Sequence, residues 1–178
     1  SALISEREQL FVIVRGFLEK LYEKSVSDAK ALRWCDDTPM NVTHAQFLFE
    51  LYPNCRIVHM VRDPRDVLVS YLDRSWASTE FEFTLRRLKR HYETLIDVEC
   101  KMPSEVLQRF TLEDFVRDHS EQRERLANFL KIDGDGFDGS VKLDGASLGR
   151  WRTQLSQERI LRVELELGSA ISFFGYNG

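Results

Sequence analysis

Apolar residues recur along the chain in two patterns, one typical of helices and one typical of buried strands. Near the start they follow the i, i+1, i+4, i+7, i+8 spacing that places apolar side chains on one face of a helix. This spacing predicts an amphipathic helix within about the first 25 residues. The positions that carry it are Leu10, Phe11, Val14, Phe17, Leu18, Leu21 and Tyr22.

Three short apolar runs predict strands, at residues 32–35, 56–61 and 106–110. The second run, with the sequence RIVHMV, is β-branched and too short for a helix, which favours a buried parallel strand. Residues that favour helix starts follow the first two runs. These are Thr38 with Pro39 and Asp63 with Pro64, each a good cap followed by a proline suited to the first helical position.

The remaining pattern continues this alternation. A long helix is predicted over about 80–99, and a capping box at 118–121 predicts another that reaches Leu130. Five of the nine glycines lie within 133–149, which predicts a loop. A last helix is predicted from just after Ser156 to near Gly168.

Alternating strands and helices predict an α/β fold, a three-layer arrangement with a central parallel sheet. The length of 178 residues suits a single domain, residues 1–178. The net charge of −4 argues against a generally basic nucleic-acid binder, and no apolar run approaches the ~20 residues of a membrane span. Neither a signal peptide nor a membrane anchor is evident.

The three cysteines are widely spaced and odd in number. Cys35, Cys55 and Cys100 therefore indicate reduced thiols in a cytoplasmic protein, with neither a disulfide framework nor a zinc site. We expect no metal centre.

Residues 57–71, IVHMVRDPRDVLVSY, carry the most chemical information. They place a buried strand, a tight turn and a helix N-terminus in succession, where free N–H groups and the helix dipole favour an anion. Arg62, at the end of the strand, can bind a phosphate through two hydrogen bonds. Ser70 lies about two helical turns beyond the cap. A structural interpretation competes with this one: Asp63 caps the helix, Arg65 and Asp66 are solvated surface charges, and Arg62 pairs with Asp37 or Glu113.

The segment RDPRDVLVSY resembles the 3′-phosphate-binding segment of the sulfotransferases. Three further strings resemble this family in the family's order, and the ending FFGY is typical of its C-terminus. The strings are RWCDDTP at 33–39, FTLEDFVRD at 110–118 and LGRWRTQLS at 148–156. The resemblance covers about residues 33–176.

This resemblance implies an incomplete P-loop-type α/β fold of the sulfotransferase type. It also implies the transfer of a sulfonate group from 3′-phosphoadenosine-5′-phosphosulfate (PAPS) to a hydroxyl or amine acceptor, with adenosine 3′,5′-bisphosphate as product. By position in the motif, Arg62 and Ser70 would hold the 3′-phosphate. Arg150 would contribute a phosphate or ribose contact from the segment at 148–156.

Two departures from the family pattern stand out. The family's glycine-rich loop with a Lys, which cradles the 5′-phosphosulfate, is missing, since Gly16 is the only glycine before Gly134. Asp37 stands where many members have Lys, and an acid there would repel negative charge that develops on the bridging oxygen. No catalytic base is evident. His44 is the weakly placed candidate, and His59 is more typical of a core histidine.

The missing loop leaves two interpretations open. The chain is either a sulfotransferase domain that begins after the phosphate loop, or a non-catalytic nucleotide-binding or assembly module derived from one. In the second case a second subunit could cover the free sheet edge, which would make the protein a homo-oligomer. Neither interpretation involves nucleic acid or a membrane as a partner.

Overall fold

The computed structural model of the protein describes residues 5–28, 30–31, 33–74, 80–133 and 145–177. The glycine-rich stretch 134–144 lies outside the described residues. Contacts divide the chain into two units, Ser1–Cys55 and Arg56–Gly178. The single domain over 1–178 stays a prediction. Of the described helices, none combines the length with the apolar composition needed to span a bilayer.

The described residues form eight α-helices and two strands. The strands are β1 (Ile57–Val61) and β2 (Leu107–Thr111). The helices are α1 (Glu6–Asp28), α2 (Ala45–Leu51), α3 (Pro64–Leu72), α4 (Phe81–Lys101), α5 (Leu112–Arg117), α6 (His119–Leu130), α7 (Trp151–Gln154) and α8 (Gln157–Phe173). Short 3₁₀ turns cover Pro39–His44 and Gly145–Ser147.

Aromatic contacts organise the first unit. Tyr22 of α1 stacks on Trp34, with the ring centroids 4.4 Å apart, and Trp34 meets the edge of Tyr52. Phe11 packs edge-on against Phe47 of α2. The amphipathic helix predicted within about the first 25 residues is confirmed as α1. Residues 33–38, however, form no strand. The strand prediction for 32–35 is therefore wrong over its described part, because Trp34 is held by ring stacking in an extended loop.

A parallel pair of strands lies at the centre of the second unit. Ile57 pairs with Leu107 and Val61 with Thr111, and α3 and α4 form the crossover between the two strands. Helix α8 packs along α4. The fully buried side chains that hold these elements together include Phe110, Leu68, Leu85, Leu167 and Val163.

The fold class is thus mixed α and parallel β, as the sequence indicates. The described residues are mostly helical and form a two-stranded sheet, so they do not confirm the three-layer arrangement with a central sheet. The two strands at 56–61 and 106–110 are confirmed within one residue. The last helix begins after Ser156 as predicted and continues past Gly168 to Phe173, because Ala170 and Ile171 are buried and extend its apolar face.

Candidate functional site

The turn between β1 and α3 is closed by the helix's own cap. The carboxylate of Asp63 accepts a hydrogen bond from the backbone N–H of Arg65 at 2.9 Å, and Pro64 occupies the first helical position. This confirms the predicted cap. It also means that a carboxylate already satisfies part of the helix N-terminus, so an anion held nearby must rely mainly on side chains.

Arg65 is buried, with 5% of its surface exposed. Its guanidinium group donates to both carboxylate oxygens of Asp63, at 2.9 and 2.8 Å, and to the backbone oxygen of Tyr176 at 2.8 Å. It also lies over the ring of Trp151, 4.0 Å from the centroid. The interpretation of Arg65 as a solvated surface charge is therefore wrong, because three groups from three segments enclose it.

Asp66 is also buried, at 1% exposure, so the same interpretation is wrong for this residue. Its Oδ2 accepts from the backbone N–H of Gly149 at 2.6 Å, and its Oδ1 accepts from that of Trp151 at 3.0 Å. Gly149 has a φ of +71°, a conformation that favours glycine. A side chain of α3 thus fixes the turn that precedes α7.

Arg62 points from the end of β1 toward the same turn. Its guanidinium group donates to the backbone oxygen of Ser147 and lies 3.4 Å from Asp66 Oδ2, so Asp66 takes the place expected for Asp37 or Glu113. The side chain is 18% exposed. Its buried Nε has no hydrogen-bond partner among the described residues. A buried donor without an acceptor is costly, and a phosphate oxygen would satisfy it.

The other two predicted site residues lie toward the far end of α3. Ser70 is partly exposed in the last turns of this helix. Arg150 is hydrogen-bonded to Asp73, the C-terminal cap of α3, and to Gln154 at 3.1 Å. Arg62 and Arg150 therefore lie near opposite ends of α3. Arg62 contacts Ser147 near the N-terminal end of the helix, and Arg150 contacts Asp73 at the C-terminal end.

Glu113 and Tyr176 also border the candidate site; the sequence offered Glu113 only as a possible partner of Arg62 and did not single out Tyr176. Glu113 Oε1 accepts from the backbone N–H of Asp63 at 3.1 Å, and its Oε2 accepts from the Tyr176 hydroxyl at 2.7 Å. Burial, followed by this hydrogen bond to Glu113, raises the pKa of Tyr176 far above its ordinary value. Both residues line an open polar pocket of about 390 Å³ together with Arg65, Asp66 and Gly149. Glu113 lies in the string FTLED and Tyr176 in the string FFGY, and the resemblance of these strings to the family could have pointed to both residues.

A scan against protein-family models matches residues 2–136 to the Sulfotransferase family. The chain belongs to the Sulfotransferase family. A search of curated proteins gives no significant match. The family match includes Arg62, Ser70 and all of α1, which lies outside the range of the sequence resemblance. It ends before Arg150, so the likeness of 148–156 to the family stays a prediction.

Two other candidate residues of this sulfotransferase-family chain, Asp36 and His59, make contacts that stabilise the fold. Asp36 accepts hydrogen bonds from Thr38, Tyr22 and Asn41; the bonds from Thr38 come first among the causes that lower its pKa to about 2. It therefore ties the 3₁₀ turn to α1. His59 is 5% exposed and lies against Glu99, which agrees with a core histidine. Asp37 and His44 are exposed.

Proposed function

We propose that this chain is a PAPS-dependent sulfotransferase domain that acts on a hydroxyl or amine acceptor. Family membership supports sulfonate transfer in general. The observation that carries the nucleotide assignment is Arg62, a mostly buried guanidinium group whose Nε has no acceptor among the described residues. It lies at the carboxyl end of a parallel strand, where α/β proteins bind their ligands.

At this end of the sheet, Arg62 is the side chain proposed to hold a phosphate group. In the proposal, Arg62 contributes the charge-assisted hydrogen bonds and Ser70 adds a hydroxyl from α3. Arg150 contributes a weaker contact from the turn before α7, since its guanidinium group is already engaged by Asp73 and Gln154. A ligand phosphate competes with the Ser147 oxygen for Arg62.

When bound, PAPS supplies the sulfonate group that is transferred. The acceptor oxygen or nitrogen forms the new bond to sulfur, the bridging S–O bond breaks, and the acceptor's proton passes to a base. Adenosine 3′,5′-bisphosphate leaves. The residues proposed here bind and orient the nucleotide through its 3′-phosphate, and none of them is assigned as the base.

The test is calorimetric titration with adenosine 3′,5′-bisphosphate beside 5′-AMP, which lacks the 3′-phosphate. Arg62→Ala should weaken binding of the bisphosphate by about 10-fold to 100-fold and change binding of 5′-AMP little, because one charged hydrogen-bonding group is worth about 1.5–3 kcal/mol. Arg86→Ala, at an exposed position of α4, is the matched control and should leave both affinities unchanged. Equal losses for both nucleotides would contradict the role given to Arg62.

A second candidate function is a nucleotide-binding or assembly module without turnover. It is favoured by Asp37, an acid where many members of the family have Lys, since a carboxylate there would repel negative charge that develops on the bridging oxygen. Labelled PAPS distinguishes the two functions. Transfer of label to a hydroxyl or amine acceptor supports the enzyme, whereas selective bisphosphate binding without transfer supports the module. Sedimentation would show whether such a module forms a homo-oligomer.

The proposal extends to surroundings and partners. All three cysteines are free thiols, which suits a cytoplasmic location. The proposed partner is the acceptor, a small molecule or a larger hydroxyl- or amine-bearing group, and neither nucleic acid nor a membrane is required.

A further inference from the structure

Asp66 connects the proposed phosphate ligand to the turn before α7. Its two carboxylate oxygens accept from the backbone of Gly149 and Trp151, and Oδ2 also faces the guanidinium group of Arg62. The Asp66 side chain is buried, with 0% exposed. The Asp66 carboxylate thus contacts both Arg62 and the turn at 149–151, and in the proposal both of these border the nucleotide.

We propose that Asp66 is a positioning residue that sets selectivity for a 3′-phosphate by holding Arg62 and the turn at 149–151 in one fixed relation. This inference rests on the proposed function and adds a residue with no contact to the nucleotide. Because Arg150 lies between the two backbone groups that Asp66 holds, the same carboxylate also determines where Arg150 leaves the turn.

The charge of Asp66 has two effects on Arg62. It fixes the direction of the guanidinium group, and it offsets part of the positive potential that any anion would meet. Without this carboxylate, Arg62 would attract anions with less regard to their position, since a mobile charge favours a 3′-phosphate and a 5′-phosphate alike. Loss of Asp66 should therefore reduce selectivity between ligands more than it reduces affinity for anions in general.

Asp63 provides the matched comparison, because it lies at the same helix end, is similarly buried and also carries a negative charge. Its side-chain contacts, however, go to Arg65. Asp63→Asn therefore removes a buried carboxylate that bonds neither to Arg62 nor to the backbone of the turn, and it reaches Trp151 only through the Arg65 guanidinium packed on the Trp151 ring. A purely structural role for Asp66 would make the two variants behave alike.

The experiment measures the ratio of the 5′-AMP to the bisphosphate dissociation constant in wild type, Asp66→Asn and Asp63→Asn. In Asp66→Asn we expect this ratio to fall by about tenfold or more, the value of one charge-assisted contact. Amide exchange at Gly149 and Trp151 should become faster in the same variant. In Asp63→Asn the melting temperature should fall while the ratio stays close to wild type. An unchanged ratio in Asp66→Asn, or an equal fall in both variants, overturns the inference.

Wild-type protein supplies a second measurement that needs no variant to fold. The bisphosphate should slow amide exchange at Gly149 and Trp151, and 5′-AMP should not. Exchange rates at these two residues that do not change when the bisphosphate is added overturn the inference. A wild type that binds both nucleotides equally refutes the proposed 3′-phosphate site itself, and the selectivity role falls with it. Selective wild-type binding combined with an unaffected Asp66→Asn refutes the positioning role alone.

Discussion

Glu99 is a buried carboxylate shared by two basic side chains. Arg109 Nε donates to it at 2.9 Å, and Nδ1 of His59 lies within hydrogen-bond distance. Burial raises the pKa of Glu99, but the hydrogen bonds from His59 and Arg109 outweigh it, so the pKa lies below its usual value. The trio links α4 to both strands of the sheet, because His59 lies in β1 and Arg109 in β2.

The lowered pKa of Glu99 makes stability depend on pH in the acid range. The unfolded chain binds a proton at Glu99 more readily than the folded chain does, so this contribution is present above the unfolded pKa, about 4.3, and is lost as the pH falls through the folded value. Glu99→Gln should lower the free energy of unfolding at pH 7 by about 1–3 kcal/mol and flatten its fall below about pH 5. Urea unfolding at several pH values checks this.

The control for this variant is Glu105→Gln, at an exposed position beside β2. It should change neither the unfolding free energy nor the slope with pH. A Glu99→Gln protein that retained the wild-type acid slope would show that other carboxylates cause it.

At the residue scale, the sequence predicted chemistry at Arg62 but not the partners that surround it. The cap at Asp63 could be predicted because its contact is local, two residues along the chain. Besides their local contacts with Asp63 and Arg62, Arg65 and Asp66 have partners more than 80 residues away, at Trp151, Gly149 and Tyr176. Charged side chains ordinarily face solvent, so a local pattern assigns them to the surface unless the distant partners are known.

At the scale of an element, helix α8 likewise has one end that is set by a contact close in sequence and one end that is set by packing. Its N-terminal cap is Ser156, whose Oγ accepts from the backbone N–H of Arg159 at 3.3 Å. The start of the helix was predictable from this serine. The end was not, because Gly168 favours a helix stop, whereas the burial of Leu167, Ala170 and Ile171 along the helix face continues the helix beyond it. Tertiary packing outweighs the weak helix propensity of one glycine.

Replacing the N-cap serine of α8 and replacing a serine inside the helix by alanine should change stability in opposite directions. Ser156→Ala removes the cap and should cost about 1 kcal/mol. Ser169→Ala lies at an exposed position inside the helix and should stabilise it by a few tenths of a kcal/mol, because alanine is the better helix former. Thermal unfolding of both variants checks this, and a similar change in melting temperature for both would contradict the role given to Ser156.

At the scale of the whole molecule, α1 carries apolar side chains on more than one face. Phe11 contacts Phe47, whereas Leu10, Ile13, Phe17 and Leu21 are between 55% and 68% exposed. The apolar spacing predicted the helix correctly, but the spacing does not show how much of the apolar face is buried. Periodicity reports which residues share a face; burial also depends on which elements lie against that face.

This exposure predicts which substitutions the first unit tolerates. Phe17→Gln should change stability by less than about 0.5 kcal/mol, because the side chain is already 66% exposed. Leu51→Ala, at a fully buried position of α2, should cost about 2–5 kcal/mol. Amide exchange in α1 and α2 reports this unit directly. Strong loss of protection in Phe17→Gln would mean that the side chain is buried in solution.

The parallel pairing of β1 with β2 also has a consequence for synthesis on the ribosome. Ile57 meets Leu107, which lies fifty positions later in the chain, so α3 and α4 must be synthesised before the first pair can form. At about 5–20 residues per second, β1 waits roughly 3–10 s without its partner. During this interval β1 is an unpaired, largely apolar strand, and such exposed strands favour aggregation unless nascent helices or chaperones cover them.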